Sequence, residues 1–291
     1  MPACVHEFKT ANMKSIYLYL TGLLFMNYTY SQTDSASKQY SDKSVFSANI
    51  VYQSLAHFLG RTDSLGSYVV IPVVSYQHKS GLYLQAAGVG VGNAKAALSL
   101  TGGSLEAGLR FKSENKFDGN IYASKFLYQD KSVLVQSALQ YQAGINTSFK
   151  TKIINVNVAG DIKFSSNTDY GLTPGIDKMF LIPLGGKTTF VINPVAAVFF
   201  GTQRFTNSYT DKISQNIFGV PVSPTTFRTT TKNVNQFSLL AYEYNLNLVI
   251  VSGKFNFSFN PSFVSPQNLV LQNGEYGKDR FYFSSSIGIR L

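Results

Sequence analysis

His57 and His78 are the only histidines downstream of an N-terminal apolar leader, so any histidine-based general acid or base has to be one of them. His78 has Ser75 and Ser80 close by in sequence, but a hydrolase needs its base held against the nucleophile by a third group, and a turn histidine offers no such orienter. Two histidines without HExxH spacing do not make a zinc set, and the single cysteine, Cys4, lies upstream of the leader. Asp169 and Asp211 are carboxylates of the kind calcium takes, without a calcium-loop signature around them. Gly88-Val89-Gly90-Val91-Gly92 and Thr101-Gly102-Gly103 lack the helix and lysine of a phosphate cradle and read as places where strands bend or approach closely. The expectation is a chain without catalytic residues, metal or cofactor.

A second set of polar residues is more informative. Glu106, Arg110, Asp161, Lys163, Asp177, Glu243 and Arg290 each fall on the wet face of a segment whose other face is greasy. In 152–164, Ile154, Val156, Val158, Ile162 and Phe164 alternate with Asn155, Asn157, Asp161 and Lys163. Leu240, Tyr242, Tyr244, Leu246 and Leu248 alternate with Glu243, Asn245 and Asn247 in the same way, and Phe255, Phe257, Phe259 and Phe263 with Asn256, Ser258, Asn260 and Ser262. A period of two is the mark of a strand with different solvents on its two faces. Twelve such segments are expected: 44–53, 67–78, 81–91, 98–111, 118–127, 137–149, 152–165, 170–181, 187–203, 236–251, 253–265 and 280–291. In two of them, Val69 to Val74 and Val195 to Phe200, both faces are apolar.

Several segments run ten to fifteen residues, longer than a soluble sheet needs and matched to a tilted membrane span. The connections alternate between tight ones (79–80, 112–117, 150–151, 182–186, 252) and long ones (54–66, 128–136, 204–235). Short turns on one side and long loops on the other predict an antiparallel up-and-down transmembrane β-barrel of about 12 strands rather than a sandwich. The seven charged residues then line the lumen, because in lipid each would cost several kcal/mol. With both signs present, the interior reads as salt-bridged rather than strongly ion-selective. Tyr68, Tyr122, Tyr128, Tyr170 and Phe281, near strand ends, are candidates for aromatic girdles. The long loop 204–235 is the preferred place for ligand contact or gating.

Composition agrees: 44% of residues are hydrophobic and only 14% charged. Residues 1–31 have the layout of a signal peptide, with Lys14 before an apolar core and small residues before Gln32, and Met13 fits as its start. A polar linker follows over 32–43, and the barrel domain is expected over 44–291. Net charge is +10, yet the lysines are spread along the chain, which argues against a nucleic-acid face and for strand ends near anionic head groups.

The chain resembles the uncharacterised outer-membrane β-barrel proteins of Bacteroidota. The resemblance is carried by Ser31-Gln32, by the hairpin Ser75-Tyr76-Gln77-His78-Lys79-Ser80-Gly81-Leu82-Tyr83, by Ala241-Tyr242-Glu243-Tyr244-Asn245-Leu246 and by Phe259-Asn260-Pro261-Ser262-Phe263. It implies a bacterial outer-membrane location, with membrane lipid as surroundings, and a C-terminal strand, 280–291, read by the barrel-assembly machinery; that strand ends in Leu291 where such signals usually end in an aromatic. It brings no catalytic residue and no small-molecule ligand. The function expected is non-enzymatic, structural or a narrow small-solute channel. The alternatives are a surface binding or adhesion protein acting through 204–235, an outer-membrane lipid hydrolase, and a soluble secreted β-sandwich.

Overall fold

The computed structural model describes residues 43–62, 66–113, 116–128, 139–165, 168–202, 237–269 and 277–291. The signal peptide, nearly all of the polar linker and the 204–235 loop lie outside these residues.

Alternation puts every other side chain on the same face, and the strands it specifies close into a ring. They are β1 (Val45–Gln53), β4 (Tyr68–Gln77), β5 (Leu82–Asn93), β6 (Ala96–Ser113), β7 (Phe117–Tyr128), β8 (Tyr141–Phe149), β9 (Asn155–Phe164), β10 (Thr168–Asp177), β11 (Phe180–Gly185), β12 (Thr188–Gly201), β13 (Ser238–Ser252), β14 (Phe255–Pro266) and β15 (Arg280–Arg290). Two short strands, β2 (His57–Phe58) and β3 (Arg61–Thr62), form a separate hairpin. Each wall strand pairs antiparallel with its sequence neighbours, and β1 closes the ring against β15, Ser47 opposite Arg290. β10 and β11 share one register on β12, with Asp177 opposite Val195 and Phe180 opposite Ile192, so they are one interrupted stave. The wall is therefore a closed antiparallel barrel of twelve staves, and the β-sandwich alternative does not describe it.

Following the registers once around returns to β1 displaced by about 16 residues, a stagger that tilts the strands by about 45°. At that tilt the backbone lies roughly 12 Å from the axis, wide enough for a chamber and for a hairpin inside it.

The five connections expected to be tight fall at one rim, between β4 and β5, β6 and β7, β8 and β9, β11 and β12, and β13 and β14, while the opposite rim also has a tight turn, 94–95 between β5 and β6. β11 carries the strand expected to end at 181 on to Gly185, past the first residue of β9; Pro183 is tolerated there because this stretch is an edge.

The outer face is apolar: Ile50, Leu84, Leu105, Ile121, Phe257 and Ile287 are all exposed. Two rows of aromatics mark its margins. At the tight-turn rim, Phe111, Phe117 and Phe149 stand with centroids 5.5 and 4.8 Å apart. Toward the long-loop rim, Tyr68, Tyr52, Phe283 and Phe259 follow one another at 5.9, 5.9 and 5.5 Å. Of the aromatics expected in girdles, Tyr68, Tyr170 and Phe281 are on the outer face. Tyr122 and Tyr128 are not: their strand parity turns them inward, where Tyr122 receives a hydrogen bond from Gln142 and Tyr128 donates one to the Leu139 carbonyl.

Inward tyrosines lie flat across glycines of the next strand. A Cβ on Gly108 would stand 2.6 Å from the Tyr83 ring and 2.5 Å from the Ile121 carbonyl, and one on Gly144 would stand 2.7 Å from the Tyr122 hydroxyl. The Gly108→Ala variant should therefore lose about 1–3 kcal/mol, because the ring must leave its place. The readout is the midpoint of denaturant unfolding, followed by loss of the compact, heat-modifiable gel band. An unchanged midpoint would show that the ring does not need this gap.

Candidate functional site

The lumen is where the polar residues converge. Glu106 on β6 is buried and accepts hydrogen bonds from Tyr83 on β5 (2.8 Å) and Ser124 on β7 (2.8 Å), while Asn120 donates to the Tyr83 hydroxyl at 3.0 Å. Arg110, two inward positions further along β6, stands 4.9 Å over the Tyr83 ring and donates to Gln77 at 2.5 Å. Three strands are thus tied together through one carboxylate, and Arg110 adds β4 through Gln77. Each member satisfies another, which is the condition for keeping such groups away from water.

The other expected residues occupy three further places. Asp161 and Lys163, both buried on β9, form an ion pair with each other. Asp177 on β10 accepts from the side-chain amides of Asn155 (3.0 Å) and Asn157 (2.6 Å) on β9. Glu243 on β13 accepts from the Tyr282 hydroxyl of β15 (2.9 Å) and from Asn245 (3.0 Å). Arg290 shares the inward parity of Tyr282 and Ser284 and ends β15 at the tight-turn rim. The seven residues are therefore distributed along one lumen in separate, mostly paired groups; they do not form a single constellation.

Between these groups lies a chamber of about 420 Å³. Its wall is rich in amides and hydroxyls, among them Asn146, Asn245, Asn247, Ser262 and Thr173. Lys150, paired with Asp118, stands at the tight-turn end. At the other end the floor is made by His57, Leu59 and Tyr282.

That floor was not legible as such, since 54–66 reads simply as a long outer loop. In the structure, 54–62 folds into the barrel instead. Leu59 and Gly60 both adopt positive φ (48° and 83°), giving the tight hairpin that joins β2 to β3. Leucine is a costly choice for that backbone, and its side chain explains the choice. Phe58 and Leu59 pack against Phe199, Leu240, Ala241, Val264 and Tyr282, and Ala56 packs with Val51, Val69, Ile71, Val73 and Val89. The available signal was the run Leu55-Ala56-His57-Phe58-Leu59, too apolar for a solvated loop.

His57 is buried, accepts from the Gly60 amide at 3.3 Å through Nδ1, and packs against Tyr282 with 4.1 Å between centroids and the rings tilted by 58°. His78, by contrast, is half-exposed at the tight-turn rim and bonded to Ser80 (2.9 Å), while Ser75 is engaged with Ser47 at 2.7 Å. No nucleophile, base and orienter come together among these residues. Among the described residues no group of three or more His, Cys, Asp or Glu is placed to hold a metal.

His57 lies in the connection, outside the wall strands. Burial, helped by the positive charge of Arg280, pushes its imidazole down to about 3. An undocked hairpin would titrate near the ordinary value of about 6.5. Docking is therefore at full strength above that value and weakens progressively as pH falls toward 3, because only the undocked form takes up the proton. The protection of amides 55–62 relative to their intrinsic exchange rate at each pH should fall between pH 7 and pH 4, and His57→Gln should remove that dependence. Protection that is flat with pH in both proteins contradicts this linkage.

No protein-family profile matches the chain, and no curated protein does. Solved structures that resemble it include the KdgM porin (10% identity, TM-score 0.45, covering 84% of this chain and 98% of that one). The translocator domain of the autotransporter NalP from Neisseria meningitidis (11%, 0.45, 95% and 99%) and LpxR from Salmonella typhimurium (12%, 0.42, 84% and 99%) are also similar. At such identities and scores the likeness concerns barrel shape, and the functional reading rests on this chain's own geometry.

Proposed function

We propose that the chain is a non-enzymatic β-barrel of the bacterial outer membrane whose lumen is a chamber for small polar solutes, narrowed at the long-loop end by the inward hairpin 54–62. One observation carries the reading: the outer face of a closed ring is apolar between two aromatic rows, while ionised and amide groups sit inside. Only a solvent of hydrocarbon makes that inversion favourable, and closure leaves the wall almost no unpaired edge to place in it, the short β11 excepted.

The chamber's chemistry favours neutral solutes. Its carboxylates are engaged by Asn, Tyr or Lys partners, and the remaining wall offers amides that both donate and accept. A strongly charged solute would have to displace those pairs; a hydroxylated one would exchange water for amide hydrogen bonds at little cost. In this reading β15, which closes the ring, is the strand that the assembly machinery engages, and membrane lipid is the principal partner.

Cell fractionation tests the location: the protein should resist washing and require detergent for release. In planar bilayers the intact chain should conduct weakly. A variant with 55–62 replaced by a Gly-Ser linker should conduct at least about tenfold better, since the apolar floor is what narrows the path. A folded, heat-modifiable deletion variant that stays silent would leave a purely structural barrel.

A further inference from the structure

The lysines scattered along the sequence are gathered by the topology. Five tight connections share a rim, the exposed Lys79, Lys112, Lys116, Lys152, Lys187 and Lys254 all stand there, and each of those five turns contributes at least one. Lys150 is half-buried and paired with Asp118, an acidic side chain that faces the chamber at this end. Toward the opposite rim the exposed charges among the described residues are Lys95, Lys125, Lys278 and Asp279. The exposed positive charge of the described residues is thus concentrated at one end of the barrel.

We infer that this collar binds the head groups of anionic phospholipid in the leaflet at the tight-turn side. Two features select this occupant. The charges run around the whole circumference, so a compact protein docking on one side would meet only a few of them, whereas a lipid annulus meets them all. Three of them also adjoin the apolar belt: Phe111-Lys112, Lys116-Phe117 and Lys254-Phe255 are sequence neighbours, and Phe255 is 61% exposed. An ammonium on a four-carbon stem beside a ring at the hydrocarbon margin reaches the level of lipid phosphates. An anionic solute entering the lumen fits less well, because the chamber behind the collar presents Asp118, Asp177 and Glu243.

This inference rests on the membrane-spanning reading, and the experiment separates the two. The chain is inserted into vesicles of equal parts phosphatidylcholine and phosphatidylglycerol, and discs are cut out with a styrene–maleic acid polymer. Insertion is read from heat-modifiability and protease protection, and the phosphatidylglycerol share from mass spectrometry of the extracted lipid. Wild type should show roughly threefold enrichment over the bulk mixture, falling toward none in 1 M salt, where screening acts within about 3 Å. The combined variant Lys79→Gln, Lys112→Gln, Lys116→Gln, Lys254→Gln should insert equally well and lose the enrichment, whereas Lys95→Gln with Lys278→Gln should keep it. An inserted wild-type barrel with the bulk lipid ratio overturns the collar alone. So does a wild-type barrel that prefers a polyglutamate peptide added to the discs over phosphatidylglycerol. Failure to insert into any vesicle overturns the membrane reading and the collar together.

Discussion

Ring closure is the constraint on which the rest depends. The pairing of β1 with β15 and of the β10–β11 stave with β12 leaves the wall almost no open backbone edge, the short stretch of β11 excepted. A sheet whose amides and carbonyls are consumed by its own neighbours can expose a continuous apolar face without inviting another strand. The period of two then does the sorting: once the ring is closed, one parity has to face outward around the whole circumference and the other inward. Tyr83, Glu106 and Ser124 meet because three consecutive strands present that inward parity at matched registers.

Where alternation fails, it fails for a reason that the inward hairpin supplies. Val69, Ile71 and Val73 on β4, and Val195, Ala197 and Phe199 on β12, are the inward members of the two segments that are apolar on both faces. Had the lumen been wet throughout, those positions would be expected to resemble Asn155, Asn157 and Asp161. Instead β4 packs on Ala56, and Phe199 packs on Phe58 and Leu59, so the apolar inner wall and the apolar loop meet in two small cores, one around Ala56 and one around Phe58 and Leu59. The second core supports the strained turn at Leu59, whose cost is local while its burial is shared by four strands.

Much of this could be read from the chain before any coordinates. The twelve staves, their parity and the shared rim of five tight turns follow from period-two patterning and turn chemistry, which are local properties; the tight turn 94–95 at the other rim was not among those expected. What could not be read was cross-strand register and the path of the first long connection, because both depend on residues far apart in sequence. Tyr122 shows the limit: its place near a strand end suggested a girdle, but its partner Gln142 and the gap at Gly144 draw it inside. Asp177 shows another, since its charge was legible while the two asparagines of β9 that hold it were not distinguishable from any other polar alternation.

Charge in this molecule is separated by depth and by end, and that separation bears on how the lumen and the membrane can each be served by one polypeptide. Inside, carboxylates are held by amides, hydroxyls and a few cations, so a neutral solute meets hydrogen-bonding groups. Outside, most of the exposed lysines stand at one rim and are left to water and to whatever lies beyond the apolar belt. Had the same lysines faced the lumen, as Lys163 does, each would have needed its own carboxylate, and the chamber would have filled with ion pairs of the Asp161 kind. Placing them in the turns avoids that cost and leaves the interior to the asparagines.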